Sequence, residues 1–278
     1  LRISERFDIM KKFSVYIVLI IGGLMFAYPF LWMLSATFKP EIEIGEIGLL
    51  SSHFSLRSYD AVITKIPIGR ALLNSLFVSS SVTLSVIIFG SIVGYALSRL
   101  KFFGREFILG VILFTMVIPF QITLIPMYIL MVKFGWVDSY LSLIIPGMIS
   151  SFGILLFRQF FMDIPQDLID AARIDGCGDF KILFRILWPL SKPVIITVGI
   201  ISFMGSWNDV LWPLIVIRVR SLMTMPQLVT IFSVGGQAES QLGAKLAAAT
   251  LLAVPIVLVY AFFQRYFIES MATTGLKG

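Results

Sequence analysis

Residues 71–98 read ALLNSLFVSSSVTLSVIIFGSIVGYALS, a run that stretches from Arg70 to Arg99 without one charged side chain. A helix crossing ~30 Å of hydrocarbon needs about 20 consecutive apolar residues, and this run exceeds that length. Five more runs meet the requirement or come close: 13–38 between Lys12 and Lys39, 107–132 between Glu106 and Lys133, 139–157 between Asp138 and Arg158, 193–217 between Lys192 and Arg218, and 246–264 between Lys245 and Arg265. In chain order only the fifth contains a charged side chain, Asp209.

The composition agrees with lipid as solvent. Hydrophobic residues make up 58% of the 278 and charged residues 14%, against roughly 25% charged in a soluble domain. Backbone polar groups find no partners in lipid, and no run alternates like a strand of an outer-membrane barrel, so the runs are read as helices. The expectation is an all-α polytopic membrane protein, a single domain over residues 1–278. Its six transmembrane helices fall at about 13–38, 71–98, 107–132, 139–162, 189–217 and 246–266, with a cytoplasmic loop at about 163–188 between the fourth and fifth.

Lys and Arg in loops are retained on the cytoplasmic side. Both termini inside gives the consistent arrangement, with four basic clusters held there: Arg2, Arg6, Lys11 and Lys12; Arg99, Lys101 and Arg105; Arg158, Arg173, Lys181, Arg185 and Lys192; Arg265 and Lys277. The formal charge of +6 is then a matter of topology. Basic residues scattered between lipid-spanning segments form no nucleic-acid patch, so nucleic acid is set aside as a partner. The first run lacks a small-residue cleavage site and reads as a retained helix. The outside loop 39–70, with Pro40, Glu41, Glu43, Glu46 and Pro67, is expected to fold or lie on the surface.

One cysteine, Cys177, allows no internal disulfide, and one histidine, His53, leaves no zinc constellation, so no metal site is expected. Ser233-Val234-Gly235-Gly236-Gln237 superficially resembles the nucleotide-contacting signature of ABC ATPases. It falls on the outside, and the chain has no Gly-x4-Gly-Lys-Ser/Thr phosphate loop, so it is read as a Gly-rich turn.

The informative loop lies between Arg158 and Lys192. Pro165 suits a first helical turn and Gly176 a helix stop, which predicts a short helix over about 165–175. Leu168, Ile169 and Ala172 make one apolar stripe on it, with Asp167, Asp170 and Arg173 elsewhere. So short a helix needs a surface to lie on, either lipid headgroups or a partner. A second helix is expected from Asp179, taken as its cap, toward Pro189 where the chain returns to the membrane.

This loop resembles that of the integral-membrane subunits of binding-protein-dependent ABC importers, in which Glu-Ala-Ala, three residues, Gly, nine residues and Ile-x-Leu-Pro recur. Here Asp170-Ala171-Ala172 is followed at the same spacing by Gly176 and by Ile186-Leu187-Trp188-Pro189. Asp170 stands where the family usually has Glu, and Trp188 where it usually has Leu. Further stretches are similar to the carbohydrate branch, and within it to the smaller permease of the maltose system: Tyr28 to Lys39, Asn74-Ser75-Leu76, Gly94 to Arg99, Pro119-Phe120-Gln121, Trp207 to Pro213, and the terminal Thr274-Gly275-Leu276-Lys277-Gly278.

The resemblance implies an inner-membrane subunit of an importer for a sugar, polyol or sugar phosphate. Its partners would be a second homologous permease, two ABC ATPases that carry the ATP and magnesium, and an extracytoplasmic solute-binding protein. The chain itself would be no enzyme and hold no cofactor. It also implies that the loop helix is the coupling helix seated in an ATPase cleft, with Asp170, Ala171, Ala172, Asp175, Gly176 and Pro189 as coupling residues. The tail residues Gly275, Lys277 and Gly278 would reach the ATPase dimer.

Gly90 and Gly94 have the four-residue spacing that lets helix backbones approach. Pro119 and Pro126 should kink the third span, as shape or as pathway lining. Asp209 reads either as a pathway or gating residue or as an interfacial group beside Trp207 and Trp212 serving as aromatic anchors. Gln121 and Asn208 join it as candidate substrate-pathway residues. A secondary transporter would need midplane ion ligands and an internal repeat, and an intramembrane hydrolase paired catalytic groups; the runs offer neither. Within the importer class, a non-carbohydrate solute is the alternative cargo.

Overall fold

The computed structural model describes residues 2–275 apart from 46, 47, 50, 52 and 235–240, with side chains described within residues 12–262. Among the described residues every regular element is helical. In chain order they are α1 Arg2–Ala36, α2 Arg57–Lys65, α3 Ile68–Arg99, α4 Arg105–Val117, α5 Phe120–Lys133, α6 Tyr140–Ile144, α7 Ser151–Asp163, α8 Gln166–Ile174, α9 Asp179–Lys181, α10 Trp188–Leu190, α11 Lys192–Trp207, α12 Leu211–Val216, α13 Met225–Val234 and α14 Leu242–Gly275. A π-helical stretch, Ile182–Leu187, joins α9 to α10. Three helices are long and apolar enough to cross a membrane alone, and up to six spans result if each of three bent pairs counts as one.

The bent pairs are where the structure departs from six straight runs. In the third run α4 and α5 meet at 104°, a break where a kink was expected. The residue before a proline is pushed to extended backbone, and Ile118 has ψ 117. Pro119 then opens α5, where its missing N–H costs little, while Pro126 sits inside α5 without dividing it. The fourth run is divided between Gly147 and Ser151 with a 41° bend, and Ser150 Oγ accepts the Gly153 N–H at 3.2 Å to start α7. The fifth run turns by 86° at Ser191, where α10 gives way to α11 at Lys192. Helix α11 ends at Trp207, before the short α12.

Two compact units emerge, Leu1–Ile66 with Val229–Ala253, and Pro67–Leu228 with Val254–Gly278. In the first, the described residues of the 39–66 segment carry local structure, with a 3-10 turn at Glu41–Glu43 and the helix α2. Phe38 stacks on Phe54 at 5.0 Å between ring centroids, and Thr37 and Tyr59 share a hydrogen bond of 3.0 Å. Glu41 accepts the N–H groups of Leu242 and Gly243, placing a carboxylate at the positive end of α14. Most apolar side chains of α1 between Phe13 and Leu34 are exposed within the chain, and Ala36 at its end is buried.

The second unit contains the large hydrophobic core, built on α3 packed against α7 and α11. Contact is close because Gly90 and Gly94 face α7. A Cβ on Gly94 would stand 2.7 Å from Phe157 Cβ and 2.9 Å from the Arg158 backbone nitrogen. Trp207 and Trp212 belong to the buried set, 0% and 3% exposed, and Trp212 donates its indole N–H to the Ser142 carbonyl at 2.7 Å. Both indoles therefore pack inside the chain, Trp207 stacked against Phe203 with ring centroids 5.7 Å apart.

Candidate functional site

The loop between α7 and α11 folds upward from its own sequence. Pro165, φ −54 and ψ 134, stands just before α8 as its cap residue. Gly176 ends it with φ +75, and the backbone bonds are those of a Schellman turn: Cys177 N–H to Ala172 O at 2.9 Å and Gly176 N–H to Arg173 O at 3.0 Å. Nothing lies within 4 Å of a Cβ placed on Gly176, so conformation and not space demands the glycine.

The helix has two apolar sides. Ile169 and Ala172 are buried, 0% and 6% exposed, in the chain's own core. Burying an Ile contributes about 1.5–3 kcal/mol relative to exposure, enough to hold a helix that is marginal alone. Leu168 does not share that face; it is exposed, as are Ala171 and, at 86%, Ile174. Asp170 and Asp175 are exposed beside them. Of the Asp170-Ala171-Ala172 motif, then, Asp170 and Ala171 look outward while Ala172 packs inward.

A polar network fastens α8 to α3. Arg99, on the last turn of α3, donates to the carbonyls of Phe161 and Ile164 at the end of α7 and to Gln166 Oε1 at 2.7 Å. The Phe161 carbonyl also accepts the Ile164 N–H at 3.3 Å, and a cation suits the carbonyl end of a helix. Gln166 Nε2 in turn donates to Asp170 Oδ1 at 3.0 Å. Tyr95, one turn before Arg99, donates its hydroxyl to Asp179 Oδ1 at 2.7 Å, and Arg173 pairs with the same oxygen at 3.1 Å. Asp179 therefore sits in the first turn of α9, held by side chains, and does not cap it. The Tyr95 hydroxyl first, then the Arg173 guanidinium, hold the Asp179 carboxyl below the usual range, while partial burial opposes them.

Beyond α9 the chain climbs through the π-helical stretch. Such stretches accommodate an extra residue in the ladder. Pro189 is exposed in α10, and Ser191, buried, donates its hydroxyl to Leu187 O at 2.6 Å at the 86° turn. Trp188 fills its position by donating its indole N–H to Ser91 Oγ at 3.0 Å and packing edge-on against Phe184 at 4.9 Å. An aromatic where the resemblance expects Leu thus gains a tie to α3.

The pathway candidates lie at the far end of α11. Asn208 donates to Met204 O at 2.9 Å, and Asp209 Oδ1 accepts the Trp212 N–H at 3.3 Å. Both polar side chains satisfy the break between α11 and α12. Gln121 is exposed on the first turn of α5, and the preceding Phe120 packs edge-on against Trp212, centroids 6.4 Å apart. Neighbouring helix ends thus carry all three candidates. Gly275 closes α14, and Lys277 and Gly278 lie outside the described residues, as do Gly235 to Gln237.

Tyr95, Arg99, Gln166, Arg173 and Asp179 were not singled out from the sequence as site residues. The available signal was Tyr95 and Arg99 four apart on one helix face at the end of an apolar run.

A helical membrane protein with a short two-faced helix in the loop between α7 and α11 has the architecture of an importer's membrane subunit. Residues 86–273 match the family described as binding-protein-dependent transport system inner membrane component, and the chain belongs to that family. It is 34% identical to the arabinooligosaccharides transport system permease protein AraQ of Halalkalibacterium halodurans, over 90% of this chain and 91% of the relative. The protein of the same description from Bacillus subtilis is 31% identical over 100% of both chains. The same fold is seen in the crystal structure of a bacterial ABC transporter involved in the import of the acidic polysaccharide alginate, at TM-score 0.80 and 23% identity over 94% of this chain and 97% of that one. The chain is thus a multi-pass inner-membrane permease component of an ABC-type sugar or solute importer, a non-catalytic subunit that works with ATPase and solute-binding partners.

Proposed function

We propose that this permease carries an oligosaccharide, pairs with a second homologous permease, and receives force from two ATPase subunits through α8. The observation that carries the coupling reading is the outward face of α8, where Ile174 is 86% exposed on a helix whose other apolar side is already buried. Apolar side chains ringed by Asp167, Asp170 and Asp175 suit a protein cleft with basic rims better than lipid headgroups, which are anionic at the cytoplasmic leaflet and repel carboxylates. The oligosaccharide is suggested by the AraQ relatives, whose description names arabinooligosaccharides.

In this reading Asp170, Ala171 and Asp175 touch the ATPase, Gly176 and Pro189 shape the return to the membrane, and Ala172 anchors the helix from behind. Both termini lie in the cytoplasm, and Gly275, Lys277 and Gly278 reach toward the ATPase dimer. Gln121, Asn208 and Asp209 flank the solute pathway. The test is co-purification of the ATPase with tagged permease. Asp170→Lys and Ile174→Asp should each release it, through charge reversal and a buried charge at the contact. Undiminished ATPase in both preparations would refute the docking role of α8.

A further inference from the structure

We infer that Tyr95 and Arg99 are positioning residues that make α3 and α8 one mechanical body, with Arg99 orienting the outward Asp170 through Gln166. This rests on the proposal that α8 meets the ATPase, and goes beyond it by naming how a push on α8 enters the membrane.

The contacts form two separate ties from one face of α3. The first is Arg99, whose guanidinium reaches Phe161 O, Ile164 O and Gln166 Oε1 together, clamping the short Ile164-Pro165 joint between α7 and α8. Its planar fork can hold these acceptors at fixed angles, which a flexible ammonium could not. The chain of donors has one direction only. Arg99 can only donate and an ionised Asp170 can only accept, so Gln166 must turn its oxygen to Arg99 and its NH2 to Asp170. The Asp170 carboxylate is thereby held from the side, at an orientation set by α3.

The second tie is Tyr95, 3% exposed, to Asp179, which also receives Arg173 of α8. Asp179 begins the element that follows the Gly176 turn. One carboxylate thus pins the far end of α8 and the start of α9 to α3. With Arg99 at the front of α8 and the Tyr95–Asp179–Arg173 group at its back, the helix cannot pivot about the Pro165 or Gly176 joints without breaking charge-assisted bonds. Elsewhere α3 packs along α7 and α11, so a displacement of α8 is delivered to the middle of the unit.

The experiment is hydrogen exchange on the complete importer, permeases with ATPases, with and without ATP plus vanadate. In wild type, nucleotide should change exchange in α8 and in residues 94–99 of α3 together. In Tyr95→Phe, Asp179→Asn and Arg99→Gln the response of α8 should persist while that of residues 94–99 falls about tenfold or more, a common size for coupling effects. Asp179→Glu, which keeps the carboxylate, should restore most of it. Tyr95→Phe removes one hydroxyl and keeps the ring against Phe161, so it provides the reading if Arg99→Gln fails to assemble. A wild-type response of residues 94–99 in Tyr95→Phe and Asp179→Asn overturns the inference. No nucleotide response of α8 in wild type would instead remove the docking reading on which it stands.

Discussion

Gly94 and Phe157 meet so closely that a methyl group on the glycine would lie 2.7 Å from the phenylalanine Cβ, with the Arg158 nitrogen at 2.9 Å. These are main-chain and first-carbon atoms, which no rotamer change can move. Gly94→Ala must therefore push α3 and α7 apart, a form of overpacking that costs typically 1–3 kcal/mol.

Gly90→Ala should cost less. The nearest atom there is the ring carbon Phe157 Cδ2 at 3.3 Å, the end of a side chain able to yield. Gly110, with nothing within 4 Å, serves as the reference and should tolerate alanine, which has the better helix propensity. Thermal denaturation of the three detergent-solubilised variants is expected to rank Gly94→Ala lowest. An equal melting temperature for Gly94→Ala and Gly110→Ala would contradict the packing described for α3 and α7.

Gly176 raises a different matter, backbone conformation without crowding. Its φ of +75 costs an L-residue roughly 1–2 kcal/mol, and a β-branched side chain more. Gly176→Val should disturb the turn between α8 and α9 and abolish uptake, whereas Gly176→Asn, which tolerates the left-handed region, should retain most of it. Uptake by cells carrying each variant measures this. Normal transport with valine would count against the turn as the joint of the coupling loop.

The charge on Asp138 should appear as a pH dependence. This residue adopts φ 56, and its carboxylate accepts the N–H groups of Arg218 and Val219. Those two bonds hold its carboxyl below the ordinary value, with partial burial opposing them and the Arg218 charge adding a smaller pull. A depressed folded-state value means that the stabilisation is complete above the unfolded value near 3.9 and is lost as pH falls through the folded value. Asp138→Asn keeps a residue that accepts positive φ but weakens both bonds, at about 1–2 kcal/mol near neutral pH. Stability of the two proteins should converge as pH falls through the folded value, and a gap that persists unchanged after the carboxylate has been fully protonated would contradict the assignment.

The parts of this molecule that were legible in sequence are those governed by local rules. Uncharged runs mark the apolar segments, the Gly90–Gly94 spacing marks the close helix pair, and Pro165 and Gly176 bracket α8. Prolines were legible as disturbances but not in degree, because whether Pro119 bends a helix or starts another depends on what α5 packs against. The fate of Trp207 and Trp212 was hidden for the same reason, since an indole at a helix end is equally plausible at an interface or in a core. The Tyr95–Asp179 bond joins residues 84 positions apart. No periodicity within either segment encodes that meeting, which α3 packing on the loop brings about. Leu168, Ile169 and Ala172 read as one stripe for an outside surface, yet Ile169 and Ala172 pack in the chain's own core and Leu168 stays exposed, because a helical wheel does not say where a flanking residue passes the edge of the core.

The last prediction concerns sidedness, where the bent pairs make the outcome informative. Four segments precede Cys177: α1, α3, the α4–α5 pair and the α6–α7 pair. If each crosses once, Cys177 returns to the side of the amino terminus, together with Arg173, Lys181 and Arg185. If the 104° pair instead dips into the bilayer and returns, the parity changes and these basic residues emerge outside, against the retention of Lys and Arg in the cytoplasm. Ile42, 95% exposed, follows only α1 and lies on the opposite side from the amino terminus in either case. An Ile42→Cys change in a Cys177→Ser background should be labelled in intact cells by an impermeant maleimide, while native Cys177 should react only after permeabilisation. Reaction of both in intact cells would show that a bent pair fails to cross, and reaction of Cys177 alone would invert the protein.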